Sequence, residues 1–261
     1  MIKDIPGLVN HVSAQISDLT DFAVLGMSGG ADSTLVAILA TLALGPERVH
    51  TLHMPMNDTD RATFNSRSWE TASYLGVIKA LLPITQTVEG IEETLTTVLG
   101  KPLSPLNQGN ARSRARMCLL YGYGAALQEK EQKRVRVLGT GNLSEDYIGY
   151  DTKGGDALGD FFPIGELFKS EVYQLLDHFS RENIIQPSMI DRVPSGGLWD
   201  GQTDEKELGY SYDEMEPAIR KLRQADVSQL DPIGAFVWNR HLTHKHKHEA
   251  PLVLSTRLFC D

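Results

Sequence analysis

The feature that most constrains this chain is the octet Gly26-Met27-Ser28-Gly29-Gly30-Ala31-Asp32-Ser33, which separates two apolar segments of different period. Before it, residues 22–27 form a short continuous apolar run, the pattern of a strand buried on both faces. After it, Leu35, Ile38, Leu39 and Leu42 recur at helical spacing. A strand that turns through glycines into a helix lets the backbone approach a ligand closely. It also presents free N–H groups and the positive end of the helix dipole, so the octet is a phosphate cradle with Ser28 and Ser33 as added hydroxyl donors. The lysine of a Walker A loop is absent, and the glycine spacing is not that of a dinucleotide fingerprint. Asp32 would repel a phosphate unless a divalent cation lay between them, which makes it a candidate Mg²⁺ ligand. Taken alone, the same residues also fit a simple Gly-Gly turn with Asp32 at the helix start.

The alternation continues downstream. Residues 49–54 read as a strand, 61–75 as a helix, 78–84 as a strand, 91–99 as a helix, 110–129 as a long helix and 135–139 as a strand. This predicts an α/β fold, a Rossmann-like parallel sheet with helices on both faces and the phosphate loop after the first strand. The segment from Gly141 to Pro163 is rich in Gly and Asp and weakly periodic, as expected of a binding loop. Helical patterns return at 167–179, 213–222 and 232–241, the last with Asp231 as N-cap and Pro232 at the first helical position. With neither repeat nor linker, residues 1–261 are expected to form a single domain.

Composition narrows the function. A net charge of −9 argues against sequence-independent nucleic-acid binding, which needs a basic face. No stretch approaches the roughly 18 apolar residues of a membrane span. The opening residues resemble neither a signal nor a transit peptide, so a soluble, cytoplasmic protein is expected. Cys118 and Cys260 cannot build a disulfide framework or a cysteine zinc site, and Cys118 reads as a small core residue.

The octet resembles the PP-loop of the ATP pyrophosphatase superfamily, whose members cleave ATP between the α and β phosphates. Several motifs in chain order sharpen the likeness: Gly109-Asn110 with Arg114 to Met117, Leu138 to Glu145, Gly149 to Asp156 with Asp160, Pro163-Ile164 with Leu167 and Lys169, and Gln202 to Glu205 leading into Glu207 to Glu214. Together, over roughly residues 20–250, they resemble the ammonia-dependent NAD⁺ synthetases. The resemblance implies that the nicotinate carboxylate of deamido-NAD⁺ attacks the ATP α-phosphorus, releasing pyrophosphate, and that ammonia then displaces AMP. With one α/β domain taking up the chain, there is no room for a glutaminase domain, and free ammonia is the expected nitrogen source.

By this resemblance Asp32, Glu145 and Lys169 are catalytic, with Asp32 and Glu145 holding Mg²⁺. Glu145 lies beyond the strand at 135–139, at the sheet edge where α/β folds bind ligands; without the family pattern it would pass for a solvated loop acid. ATP is expected on Gly26, Met27, Ser28, Gly29, Gly30, Ala31, Asp32 and Ser33, with Thr140, Lys169 and Ser195, the last standing where the family usually has Thr. Arg114, Lys153, Asp160, His246 and Lys247 correspond to deamido-NAD⁺ positions. Arg112, Arg114 and Arg116 cannot share one helix face, since residues two apart diverge, and Arg112 receives no role. The tail His244-Lys245-His246-Lys247-His248 matches a family His-Lys-Arg segment ambiguously by two residues, and His248 replaces its arginine. The family's homodimer, with substrate sites at the subunit interface, gives the 110–129 helix a further role. The competing readings are another PP-loop amide-forming ligase and a non-catalytic nucleotide-binding module.

Overall fold

A computed structural model describes residues 1–56, 67–190, 203–224 and 227–250. It contains a parallel sheet of β1 (Phe22–Gly26), β2 (Val49–His53), β3 (Ile78–Leu81) and β4 (Val135–Val137) in the order β3-β2-β1-β4. Register follows from pairs such as Val24 with His50, Val24 with Val137 and Leu52 with Ala80. The expected α/β architecture is therefore present. Ten helices accompany the strands among the described residues: α1 (Ile5–Leu19), α2 (Ala31–Leu44), α3 (67–74), α4 (Thr85–Leu99), α5 (Pro105–Glu131), α6 (Leu143–Tyr147), α7 (Lys169–Arg181), α8 (Asp204–Leu208), α9 (Tyr212–Arg223) and α10 (Pro232–His244).

Side-chain alternation in the central strand divides the core. Ala23 and Leu25 of β1 face one cluster with α1, α2 and α7, while Val24 faces a second with α4 and α5. Helix α2 is buried continuously from Ser33 to Ala40, where α1, α7 and the sheet pack against it, which explains its nearly all-apolar sequence. A third cluster, built from Ile148, Phe168, Met215, Ile219 and Val237, joins α6, α9 and α10 beyond the sheet edge. Asp231 caps α10 by accepting from Gly234 N at 2.7 Å, as the sequence indicates.

Four local features differ from the sequence reading. The last strand ends at Val137, and Leu138 instead makes an isolated parallel bridge with Phe161. The expected loop after Gly141 contains α6, whose N-cap Asn142 accepts from Glu145 N at 3.1 Å. Helix α1, capped by Asp4, packs on α2 where no element had been assigned. Cys118 is exposed: it lies four residues after the exposed Arg114 on α5, on the face turned away from the sheet. The part of the expected 61–75 helix before residue 67 lies outside the described residues. No helix among the described residues is long and apolar enough to cross a membrane.

Candidate active site

Connections leave β1 in one direction toward β2 and β3, whereas β4 lies on its other side. The crevice beyond the carboxyl ends of β1 and β4 is thus a topological switch point, where open α/β sheets bind ligands. The octet follows β1 and the Gly139–Asn142 turn follows β4, and both line one cleft.

Local geometry explains the octet's composition. Gly29 has φ +75°, and a Cβ there would stand 3.1 Å from the backbone nitrogen of Ser68. Ser28 Oγ accepts from Gly30 N at 3.1 Å and lies 3.0 Å from Ser33 Oγ, so the two hydroxyls brace the turn. Gly30 supplies no side-chain cap to α2, and the first turn of the helix opens on the cleft.

Across the cleft, Lys169 at the first position of α7 bridges the two acids singled out from sequence. Its Nζ donates to Asp32 Oδ2 at 2.5 Å and to Glu145 Oε1 at 2.8 Å. The lysine side chain is 5% exposed, against 17% for Asp32 and 18% for Glu145, so the cation is the deeper group and the carboxylates edge toward solvent. Burial alone would push the Lys169 pKa down; the charges of Asp32 and Glu145 outweigh it and hold the ammonium protonated. For Glu145, burial and then the Asp32 charge push the carboxyl up to about 8, with Lys169 opposing. Two acids that repel one another and share one cation are a donor set suited to Mg²⁺, a hard ion bound through carboxylate oxygens. Asn142 steadies the pair by donating to Asp32 Oδ1 at 2.9 Å while its carbonyl caps α6.

A buried acid sets the position of Lys169. Glu216 of α9, 5% exposed, accepts from Ser144 Oγ, Ser170 N and Ser170 Oγ, and Ser144 Oγ in turn accepts from Lys169 N at 3.0 Å. This knot joins the start of α7 to α6 and α9.

The remaining sequence candidates divide. Thr140 lines the cleft with the octet, Glu145 and Lys169. Arg114 lies exposed on the outer face of α5, donating to the Lys153 carbonyl at 3.2 Å, and Lys153 reaches the His246 carbonyl at 2.7 Å. Lys247 donates to the carbonyls of Gly149 and Asp151 at 2.8 and 2.6 Å. Arg114, Lys153, His246 and Lys247 are thereby gathered into one surface beside the cleft. Asp160 stands apart at the β4 edge, accepting from Val137 N at 2.7 Å and from Tyr121 at 3.3 Å. Ser195 lies outside the described residues.

Sequence reasoning passed over several cleft residues. Arg116, two positions from the assigned Arg114, is the arginine of that segment that turns into the cleft, where its Nε donates to the Met54 carbonyl at 3.1 Å. Asp146 and Asp151 also line it, with nothing in their spacing to mark them. His53, at the end of β2, is 1% exposed and shares a 2.9 Å hydrogen bond with Ser68, the residue that packs on Gly29. Burial pushes its pKa down to about 4. Between an unfolded value near 6.5 and this folded value, the unfolded chain takes up a proton that the native state refuses, so stability falls as pH drops through that window. Urea unfolding at pH 7 and pH 5 should show the wild type losing on the order of 2 kcal/mol more than His53→Gln, from 1.36 kcal/mol per pKa unit. Equal losses would remove His53 as an acid-sensitive support of the phosphate loop.

The fold and site define a Rossmann-like nucleotide-binding protein of the PP-loop class, with an anion cradle and paired carboxylates at the sheet's switch point. Comparison with known proteins narrows the class. Residues 7–249 match the family model described as NAD synthase. An NH(3)-dependent NAD(+) synthetase of Methanosarcina acetivorans is 38% identical over 245 residues, which cover 89% of this chain and 90% of that protein. Among solved structures, an NMN synthetase from Francisella tularensis superposes with a TM-score of 0.78 at 27% identity, covering 97% of this chain and 99% of the other. The NH3-dependent NAD synthetase of Campylobacter jejuni gives 0.73 at 28% identity, covering 97% and 100%. The chain belongs to the NAD synthase family, a family of ligases that form a carbon–nitrogen bond.

Proposed function

We propose that this cleft converts deamido-NAD⁺, ATP and ammonia into NAD⁺, AMP and pyrophosphate. The observation that carries the reading is the convergence of Asp32, Glu145 and Lys169 opposite the phosphate loop. A free carboxylate resists attack by ammonia, whereas its mixed anhydride with AMP has a good leaving group. In the first step a nicotinate oxygen bonds to the α-phosphorus as the bond to the bridging oxygen breaks, and pyrophosphate leaves. The octet's N–H groups, Ser28 and Ser33 hold that leaving group, with Thr140 close by. Asp32 and Glu145 would hold Mg²⁺, which when bound neutralises charge on the phosphate oxygens. Lys169 supplies a fixed positive charge toward the same oxygens. In the second step ammonia adds to the acyl carbon, AMP departs with the anhydride oxygen, and the nitrogen loses a proton.

Arg114, Lys153, Asp160, His246 and Lys247 are proposed to bind the dinucleotide acceptor from the surface beside the cleft. Helix α5 is proposed as part of a homodimer interface that completes this surface. The exposed Leu95, Val98, Leu99 and Leu106 on α4 and at the start of α5 support that reading, as does the outward placement of Arg114. A single ammonia-using domain working in the cytoplasm completes the proposal.

The structural likeness to an NMN synthetase favours one further reading, in which the acceptor is the mononucleotide carboxylate. One assay decides. With ATP, Mg²⁺ and ammonium, deamido-NAD⁺ should give amide, AMP and pyrophosphate in equal amounts and at higher kcat/KM than nicotinate mononucleotide, and glutamine should not replace ammonium. A preference for the mononucleotide would transfer the assignment to that substrate. Formation of ADP and phosphate would overturn the mechanism.

A further inference from the structure

The 3₁₀ turn Lys245–Lys247 that continues α10 rests on the turn that follows α6. Hydrogen bonds from Gly149 N to the Asp146 carbonyl and from Tyr150 N to the Glu145 carbonyl form the second of these turns, which brings Asp151 to the cleft wall. Gly149 adopts φ +60°, and a Cβ there would overlap the His244 side chain, so glycine is what lets the end of α10 settle on the turn. Arg240 Nε donates to the Ile148 carbonyl at 3.0 Å, and Lys247 Nζ donates to the carbonyls of Gly149 and Asp151. These hydrogen bonds reach only the backbone of the turn, so they do not depend on which side chain stands at position 151.

The Asp151 carboxylate adds a lock of its own. Its side chain is 6% exposed, with His248 Nε2 at 2.5 Å from one oxygen and Lys247 Nζ at 3.4 Å from the other. A charge buried this far persists only with its counterions in place. Lys245, on the same turn as Lys247, pairs instead with the exposed Glu249 at 3.5 Å, so the tail's cations are divided between the two acids. The pairing also sits among the residues assigned to the acceptor. Lys153 Nζ donates to the His246 carbonyl at 2.7 Å, and the Lys153 carbonyl accepts from Arg114 Nε at 3.2 Å. Asp151 is two positions from Lys153 on one segment, and His248 is next to Lys247 on the other. One ion pair thus ties together the two segments that carry Lys153, His246 and Lys247.

We propose that Asp151 is a positioning residue for the acceptor: by pairing with His248 and Lys247 it fixes the tail so that Lys153, His246 and Lys247 meet the anionic dinucleotide as one preformed surface. The proposal rests on the reading above that these residues bind the acceptor. Without the pair, the tail side chains must be ordered when the substrate arrives, and that cost appears as weaker binding. The adenylation chemistry is set elsewhere, by the contacts among Asp32, Glu145 and Lys169, none of which passes through Asp151 or His248. Loss of the pair should therefore weaken capture of the acceptor and spare the chemical steps.

Steady-state kinetics of the full chain with ATP, Mg²⁺ and ammonium separates this role from packing. Asp151→Asn, which keeps the size of the buried side chain, and His248→Gln should each raise KM for deamido-NAD⁺ about tenfold, the low end of what a hydrogen bond to a charged group contributes, with kcat and the KM for ATP within about twofold of wild type. The double variant should be little worse than Asp151→Asn alone, because both substitutions remove the same pair. His248→Arg keeps a cation opposite Asp151 and should stay within about threefold of wild type. The pair is also read without substrate, by nuclear magnetic resonance titration of the His248 ring, assigned from its loss in His248→Gln. The hydrogen bond to Asp151 holds this imidazole above the ordinary histidine range against its burial, with the Asp146 charge from α6 adding to the effect and the Lys247 charge opposing it, so the ring should titrate lower in Asp151→Asn. Failure of the wild type to amidate deamido-NAD⁺ would sink the acceptor reading and this proposal with it. Wild-type turnover with an unchanged KM for deamido-NAD⁺ in Asp151→Asn, a loss spread equally over kcat and both KM values, or a His248 titration indifferent to Asp151 would overturn the positioning role alone.

Discussion

Asp32→Ala and Glu145→Ala should each lower the rate of AMP and pyrophosphate formation by roughly 10³-fold or more, while circular dichroism and gel filtration remain those of the wild type. The size follows from the chemistry: each preorganised group that stabilises developing charge accounts for about 10²–10³ in rate, and loss of a metal ligand removes more than its own charge. Folding survives because Lys169 keeps a partner in either variant. Its Nζ contacts both acids, so removing one leaves the ammonium paired with the other. The double variant is different in kind. An ammonium only 5% exposed would then have no carboxylate among its ion-pair partners, and orphaning a buried charge costs about 3–5 kcal/mol. Urea unfolding of the two single variants and the double variant therefore gives a strongly non-additive cycle. Undiminished turnover in either single variant would remove that acid from the site, and additive stabilities would show that Lys169 does not bridge the pair. Lys169→Met belongs to the same series and should lose turnover about 10²–10³-fold.

Legibility in the sequence tracked the range over which each feature is encoded. The sheet was readable because β1 is a compact apolar run and β2 and β3 are short segments opened by Val49 and Ile78 and set between helical periods, each a local signal. The octet was readable because its chemistry is contiguous: glycines, hydroxyls and Asp32 lie within eight positions. Helix α1 is equally plain in Ile5, Leu8, Val9, Val12 and Ile16, and goes unread only when the opening residues are weighed solely for a leader peptide. Glu145 and Lys169 are another matter. Nothing local distinguishes them from solvated charges, and only the resemblance to a family placed them together, a placement that their contacts with one another support. Arg116 shows the limit of counting faces: spacing separated it from Arg114, but which of the two would turn inward depended on where α5 lies on the sheet. Cys118 went wrong for the same reason, since a 27-residue helix covered on one side has an exposed face that its composition does not announce.

Glu216 is the residue least visible in the sequence and the one whose loss should cost the most stability. In the pattern of α9 it is one more acid beside Asp213 and Glu214, yet it is 5% exposed and accepts from Ser144 Oγ at 2.9 Å, Ser170 N at 3.0 Å and Ser170 Oγ at 2.5 Å. Hydrogen bonds to a charged acceptor contribute about 1.5–3 kcal/mol each, and a buried N–H left without an acceptor adds a desolvation penalty. Because water entering the vacated space would recover part of this, Glu216→Ala should destabilise by about 3–4 kcal/mol, a fall in Tm of roughly 6–16 °C for a chain this long. Glu216→Gln keeps one acceptor oxygen and should lose less than half as much. The activity consequence separates this knot from mere packing. Ser144, which donates to Glu216, also accepts from Lys169 N, so the first turn of α7 and the ammonium it carries are positioned through this acid. At a temperature where Glu216→Ala remains folded, its kcat should fall at least about tenfold, since small misplacements of a charge-stabilising group are costly to rate. Glu216→Gln should recover most of that loss. A variant that is destabilised but turns over at the wild-type rate would confine Glu216 to holding α9 against α7 and would take the positioning of Lys169 away from it.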